Sequence, residues 1–166
     1  MVIELIVEDG SEVEGANTYV SLDDCDTYHE NLGNSQWTGE DEEKKQAILR
    51  AMAWLETLSW SGTKLDIDNA LEWPREDVIT PNGYDFPEDA VPWQVQDAVC
   101  EAALVEIETA NGLRPSLSRG GAVKSHRVEG AVSIEYFPGA SSGVKYSAVS
   151  NLLRPYLKST TAVRRA

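Results

Sequence analysis

The sequence predicts a mainly α fold, a small helical bundle with a short N-terminal strand and a C-terminal extended arm. The arm is predicted to carry a β-hairpin and a short terminal helix. Apolar residues recur at helical spacing before residue 112, whereas the later part is rich in Gly and Ser and contains an alternating, strand-like run. The chain of 166 residues is long enough for one domain with its own core. We therefore predict a body over residues 1–111 and an arm over residues 112–166.

The first two elements follow from local signals. Residues 2–7 form an apolar, β-branched run, which predicts a strand. Ser21 and Asp24 have the spacing of a capping box, in which each side chain bonds the other residue's backbone N–H. This pair predicts a helix that begins at Ser21, continues to about Leu32 and ends at Gly33.

Two longer helices are predicted to form the body. A second capping-box-like sequence at 38–41 opens a helix to about Ser59, and the clearest helix runs from Pro92 to Asn111, before Gly112. The residues predicted to form the buried faces of the two helices are Ile48, Ala51, Met52, Leu55 and Leu58, and Val95, Val99, Ala102, Ala103 and Ile107. Both helices therefore contribute to one core.

The segment 61–91 is rich in turn-forming residues and contains Trp73, Pro74 and Arg75. Pro74 disfavours helical backbone angles at Trp73, so the indole is presented from an extended chain. We interpret these three residues as a structural loop, in which Trp73 packs on the helices and Arg75 pairs with a carboxylate. A direct contact with a partner is the alternative interpretation.

The arm combines a predicted hairpin at about 122–137 with an anchor segment at about 147–158. Val132, Ile134 and Tyr136 alternate with polar residues, and Pro155 excludes a long regular helix in the anchor segment. The arm lacks the length for its own core, so either it folds back on the helices or it binds another chain. The pattern favours another chain, because an extended arm with apolar anchors is a known recognition mode.

Apolar side chains together with Arg are the residue types that tend to dominate interface energetics. The candidate partner-binding residues in the arm are Arg127, Ile134, Tyr136, Phe137, Leu152, Leu153, Arg154, Pro155, Tyr156 and Leu157.

Charge divides the chain even more sharply than periodicity does. Residues 1–118 carry 6 Lys and Arg against 26 Asp and Glu, a balance of −20. Residues 119–166 carry 8 against 2, a balance of +6, and the two balances give the formal net charge of −14. The acidic part should repel nucleic acid, since affinity for it comes mainly from neutralised phosphates. The basic arm could contact nucleic acid or an acidic protein surface.

No motif for catalysis, for a cofactor or for a metal is found in the sequence. We predict buried free thiols for Cys25 and Cys100, and structural or solvated roles for His29 and His126. The protein is therefore not expected to be an enzyme. No apolar run reaches the ~20 residues of a membrane span, and the acidic start gives no export signal, so we expect a protein made in the cytoplasm.

Five stretches in this order resemble a phage family labelled as DnaT-like single-stranded-DNA-binding proteins, and their layout is similar to that of the head-to-tail adaptor (head completion) proteins of tailed phages. The stretches are ANTYVSLDDCDTYH at 16–29, LEWPRED at 71–77, VPWQVQDAVCEAAL at 91–104, VKSHRVEGAVSIEY at 123–136 and LLRPYL at 152–157. Cys25 departs from the pattern, where a small, alanine-like residue is expected; this affects packing rather than function.

The resemblance implies a structural virion protein at the head–tail interface, made in the host cytoplasm and assembled as a ring of twelve under the portal. The arm would dock on the portal through residues 123–136 and 152–157. The other implied partners are neighbouring copies, a tail-side connector or tail protein, and genomic DNA that passes through the channel without sequence-specific binding. No membrane contact is implied.

The adaptor and single-strand-binding functions make different physical predictions. Sequence-tolerant single-strand binding needs a basic groove lined with stacking aromatics, yet all five Trp lie in the acidic part. An acidic ring suits DNA that must slide through without adhering. We therefore expect an adaptor. The alternative is a single-stranded-DNA-binding replication accessory protein, and a soluble assembly factor that binds an acidic partner is a third possibility.

Overall fold

The fold is seen in a computed structural model, which describes residues 2–114 and 146–158. Within them the chain is mainly helical, and the predicted small helical bundle is confirmed. The elements in chain order are α1 (Leu22–Leu32), α2 (Asp41–Leu55), β1 (Thr63–Lys64), β2 (Arg75–Glu76), α3 (Trp93–Glu108), α4 (Ser147–Leu153) and a one-turn 3-10 helix (Arg154–Tyr156). The predicted hairpin at 122–137 lies outside the described residues.

Helix α1 has the predicted start and end. The backbone N–H of Asp24 donates to Ser21 Oγ at 3.1 Å, and the N–H of Ser21 donates to Asp24 Oδ2 at 2.9 Å. Gly33 ends the helix in the left-handed region with φ 67°, which costs glycine little. The capping signals therefore placed this helix within one residue at each end.

Helix α2 begins and ends differently from the prediction. Its N-cap is Glu40, which forms a capping box with Glu43, and not Thr38. It ends at Leu55 rather than near Ser59, because the Thr57 hydroxyl donates to the Trp54 carbonyl at 2.6 Å. A side chain that bonds the backbone in this way competes with the helical ladder.

Helix α3 lies at the centre of the bundle and packs against α1, α2 and α4. Pro92 is its N-cap rather than its first residue, and the helix ends at Glu108 instead of Asn111. The predicted apolar face is buried at Val95, Val99, Ala102 and Ala103. Ala98 and Cys100 are buried as well, so α3 contacts neighbours on more than one side.

The predicted N-terminal strand is reduced to a single bridge. Val7 pairs with Thr18 in parallel, and no regular strand forms within residues 2–7. The Asn17 side chain accepts from the Ile6 N–H at 2.9 Å and donates to the Glu4 carbonyl at 3.0 Å. The Asn17 side chain therefore takes two of the bonds that a partner strand would make, and backbone bonds join Ile6 and Glu8 to Asn17 and Thr18. The two-stranded antiparallel sheet of the described residues joins β1 to β2, which the sequence did not indicate.

Candidate functional site

The part of the predicted interface that the structure describes is the C-terminal segment, defined here as residues 146–158. It consists of α4 and the 3-10 turn, and it packs against α3. Val149, Leu153 and Tyr156 are each at most 2% exposed. Of the two interpretations left open for the arm, residues 146–158 therefore show the one in which the chain folds back on its own helices.

Tyr156 is the buried aromatic residue of this segment. Its ring meets Trp73 and Phe86 edge to face, with centroids 5.9 and 6.2 Å away, and Trp60 meets Trp73 in the same way at 5.8 Å. Edge-to-face packing is a favoured arrangement for aromatic rings. We call Trp60, Trp73, Phe86 and Tyr156 the aromatic cluster. The Tyr156 hydroxyl donates to Gln94 Oε1 at 3.0 Å, so the polar end is also satisfied.

Backbone hydrogen bonds hold the C-terminal segment on both sides of this cluster. The N–H and the hydroxyl of Ser61 both donate to the Tyr156 carbonyl at 2.9 Å, and the Lys158 N–H donates to the Ser59 carbonyl at 2.9 Å. At the other end of the segment, the Tyr146 hydroxyl donates to the Gly112 carbonyl. The segment is therefore fixed by directional bonds as well as by apolar burial.

The structure places Trp73 and Arg75 inside the same region. Trp73 is fully buried and Arg75 is 5% exposed. The Arg75 guanidinium donates to the carbonyls of Ser61, Gly62 and Glu72 at 2.8, 3.1 and 3.0 Å, and to Glu72 Oε2 at 2.7 Å. Pro74 lies between them and is buried too. These contacts organise the loop that receives the C-terminal segment.

A buried tyrosine and a carboxyl group support this loop from the body. The Tyr19 hydroxyl donates to Glu56 Oε1 at 2.6 Å and accepts from the Trp73 N–H at 3.2 Å, while the Glu72 N–H donates to Glu56 Oε2 at 2.8 Å. Burial raises the pKa of Glu56, and burial together with the charge of Glu56 raises that of Tyr19. The sequence did not indicate this network, since its hydrogen-bonded partners are 16 to 54 positions apart.

The ten candidate partner-binding residues are in four different situations. Leu153 and Tyr156 are buried within their own chain. Leu152 and Leu157 are half-buried, and Arg154 and Pro155 are exposed. Arg127, Ile134, Tyr136 and Phe137 lie outside the described residues. Sequence reasoning found the apolar segment but missed the residues that receive it, Ser61 and Gln94, because an isolated Ser or Gln gives no signal.

The exposure of the tryptophan side chains decides whether they can bind nucleic acid. Trp37, Trp60 and Trp73 are at most 8% exposed, Trp54 is half-buried, and Trp93 is 62% exposed. Buried indoles cannot stack on bases, so most of the tryptophans are unavailable to a single strand.

Most cations of the body are already neutralised. Of the six Lys and Arg in residues 2–114, four form ion pairs with carboxylates. The pairs are Lys44–Asp26, Lys45–Glu42, Arg50–Glu106 and Arg75–Glu72, at 2.8, 2.9, 3.0 and 2.7 Å. This part of the chain therefore has few cations to offer to phosphates.

The hydrogen bonds of His29 fix its tautomer. Its Nε2 lies 3.1 Å from the Cys100 carbonyl and its Nδ1 lies 3.0 Å from the Asn34 amide nitrogen. A carbonyl can only accept, so Nε2 carries the proton and Nδ1 accepts from Asn34. Burial lowers the pKa of His29. The ring is thus held neutral between two elements of the core, an arrangement that leaves neither nitrogen for proton transfer.

Because the folded state disfavours protonated His29, the free energy of unfolding should fall as the pH drops from 7.5 to 5.5. The unfolded chain takes up the proton near the ordinary pKa of ~6.5, whereas the folded chain does so only at lower pH. The contribution of His29 is therefore complete above the unfolded pKa and is lost below it. Denaturant titrations at both pH values should show a smaller decline for His29→Gln; equal declines would contradict this assignment.

Within residues 2–114 and 146–158, no group of three or more His, Cys, Asp or Glu side chains is arranged to hold a metal ion. No helix of these described parts is long and apolar enough to cross a membrane.

Comparison with known proteins gave one positive result. No curated protein and no solved structure matches the chain. A family model described as "Putative DnaT-like ssDNA binding protein" matches residues 3–166, nearly the whole length. The chain belongs to that family.

Proposed function

We propose that the protein is a structural virion protein, a head-to-tail adaptor that forms a ring under the portal and joins the DNA-filled head to the tail. It acts by binding and not by catalysis. The observation that carries the proposal is the acidic body: residues 1–118 have a net charge of −20. Most of the tryptophans of the body are also buried in its core. Like charge limits adhesion of DNA to the wall of a channel.

The described residues on either side of residues 115–145 support a role for this stretch in docking. On one side the described chain ends at Arg114, and on the other it resumes at Tyr146, whose hydroxyl donates to the Gly112 carbonyl. The two flanking parts of the chain therefore meet beside the end of α3. We place the main portal contacts in this stretch, at Arg127, Ile134, Tyr136 and Phe137.

The C-terminal segment has a different role in this proposal. Leu153 and Tyr156 keep the segment on the body, since both are buried there. Arg154 and Pro155 are exposed and can meet the portal, while Leu152 and Leu157 beside them in the chain are half-buried. We further propose that exposed carboxylates of the helical body line the bore of the ring. A bore lined mainly by Lys and Arg would contradict that.

The second candidate function is a single-stranded-DNA-binding replication accessory protein. The family description favours it, and so does the balance of +6 over residues 119–166. Against it stands the number of body cations that are already paired with carboxylates. Phosphates would have to be bound by the Lys and Arg residues of the arm, and this binding should weaken steeply with added salt.

Light scattering on a sizing column tests the proposal, with the protein mixed with the portal protein of its own phage. We expect a large complex that is lost in the double variant Tyr136→Ala, Phe137→Ala. Tyr84→Ala is the matched control, because Tyr84 is an aromatic residue of the body that is 73% exposed, and it should leave the complex intact.

A parallel mixture with a fluorescent single-stranded oligonucleotide separates the two functions. The adaptor proposal expects no increase in anisotropy at moderate salt. Oligonucleotide binding at low salt that disappears at moderate salt, without a portal complex, would establish the second function and refute the first.

A further inference from the structure

The two cysteines of the chain meet in the core between α1 and α3. Their sulfur atoms are 2.7 Å apart, although Cys25 and Cys100 are 75 positions apart in sequence. Cys25 is fully buried and Cys100 is 2% exposed, and both are free thiols. A disulfide has an S–S length of ~2.05 Å, so the two sulfur atoms lie within about 0.7 Å of bonding distance.

The surroundings keep Cys100 in the thiol form at neutral pH. The hydrogen bond with Cys25, burial and the nearby charge of Asp97 raise the pKa of Cys100. A protonated, buried thiol is a poor nucleophile, so the pair is not suited to catalysis on a substrate. Each cysteine nevertheless has one well-placed reaction partner, the other cysteine.

We propose that Cys25 and Cys100 are a site of reversible oxidation, at which a peroxide converts the thiol pair into a disulfide that joins α1 to α3. The inference does not depend on the proposed function, because it concerns atoms within one chain. It also gives Cys25 a chemical role beyond packing.

The reaction takes place in two balanced steps. One sulfur, as thiolate, attacks a peroxide oxygen, the O–O bond breaks, and a sulfenic acid and one water form. The second sulfur then attacks the sulfenic sulfur, the S–S bond forms, and the hydroxyl leaves with a proton as the second water. Two thiols lose two hydrogens in total, and one hydrogen peroxide is reduced to two waters. Burial makes the first step slow, since it requires local opening.

The disulfide would link residues 25 and 100 and so close a long loop of the unfolded chain. Closing a long loop reduces the conformational freedom of the unfolded state and stabilises the folded one. We expect a rise of about 5–10 °C in Tm on oxidation, reversed by dithiothreitol.

The test uses the full-length protein with dilute hydrogen peroxide, at 25 °C and again a few degrees below Tm, where opening is faster. Samples are quenched with catalase, denatured, alkylated with N-ethylmaleimide and weighed by intact mass spectrometry. The expected product is a monomer roughly 2 Da lighter, without alkyl groups, and with two alkylation sites after reduction. Cys25→Ala and Cys100→Ala should each give no such product.

The proposal would be overturned by two alkylated thiols in every sample. It would also be overturned by masses that show added oxygen or joined chains in place of the lighter monomer. Each of these outcomes is measured on the protein without substitutions, so the result does not depend on whether the variants fold.

Discussion

Replacing Tyr156 with alanine is expected to lower the free energy of unfolding by about 3–5 kcal/mol, the usual cost of truncating a buried aromatic side chain. The ring of Tyr156 is 2% exposed and packs edge to face on Trp73 and Phe86. The variant also leaves Gln94 without its donor. Urea denaturation followed by tryptophan fluorescence would measure the loss.

Two further variants test whether any substitution in the C-terminal segment lowers the free energy of unfolding. Tyr156→Phe keeps the ring and removes only the hydroxyl, so it should cost about 1 kcal/mol. Arg154→Ala changes an exposed residue and should stay within about 0.5 kcal/mol. A stability of Tyr156→Ala equal to that of the natural protein would mean that the segment is not part of the core in solution.

Glu106→Gln is expected to cost about 3 kcal/mol, the second large effect. Glu106 is 2% exposed, and its carboxylate accepts from Arg50 Nε at 3.0 Å, from the Asn111 N–H at 2.9 Å and from the Leu113 N–H at 3.0 Å. An amide has one accepting oxygen, so at least one of the three donors loses its partner. The chain after α3 should then lose its fixed path toward Gly112.

The control for Glu106→Gln is Glu108→Gln, the same change of charge two residues later on α3. Glu108 is exposed, so the effect should be within about 0.5 kcal/mol. The two free energies of unfolding come from denaturant titrations at one pH and one salt concentration. Equal losses in both variants would show that helix charge, and not the buried hydrogen bonds of Glu106, accounts for the effect.

The helices could be predicted largely because their signals are local. The start of α1 depends on Ser21 and Asp24, three positions apart, and its end depends on Gly33. The core face of α3 follows from the spacing of its own apolar residues. The end of α2 could not be predicted in the same way, because it depends on where the Thr57 hydroxyl finds an acceptor.

The location of the C-terminal segment could not be read from the sequence. Its apolar residues would look the same whether they pack on their own body or on another chain. The outcome depends on Ser61, Gln94 and the aromatic cluster, which come together only once the loop around Arg75 has folded. The predicted N-terminal strand is absent for a related reason, since the Ile6 N–H donates to the Asn17 side chain and not to a neighbouring strand.

The charge distribution of the chain could be predicted from the sequence, but the exposure of its tryptophans could not. The sequence identified the acidic body and the basic arm, because charge can be counted without a structure. It could not separate buried from exposed tryptophans. Trp73 and Trp93 both lie next to a proline, yet one is fully buried and the other is 62% exposed.

Hydrogen exchange of the full-length protein, free and mixed with the portal protein proposed as its partner, tests the account most directly. The Ser61 N–H donates to the Tyr156 carbonyl, and the Lys158 N–H donates to the Ser59 carbonyl. The account predicts that these two amides are protected equally in both states. New protection should then arise within residues 122–137 only in the complex. Rapid exchange at Ser61 and Lys158 in the free protein, followed by protection on binding, would contradict the account, because the C-terminal segment itself would then be the part that docks.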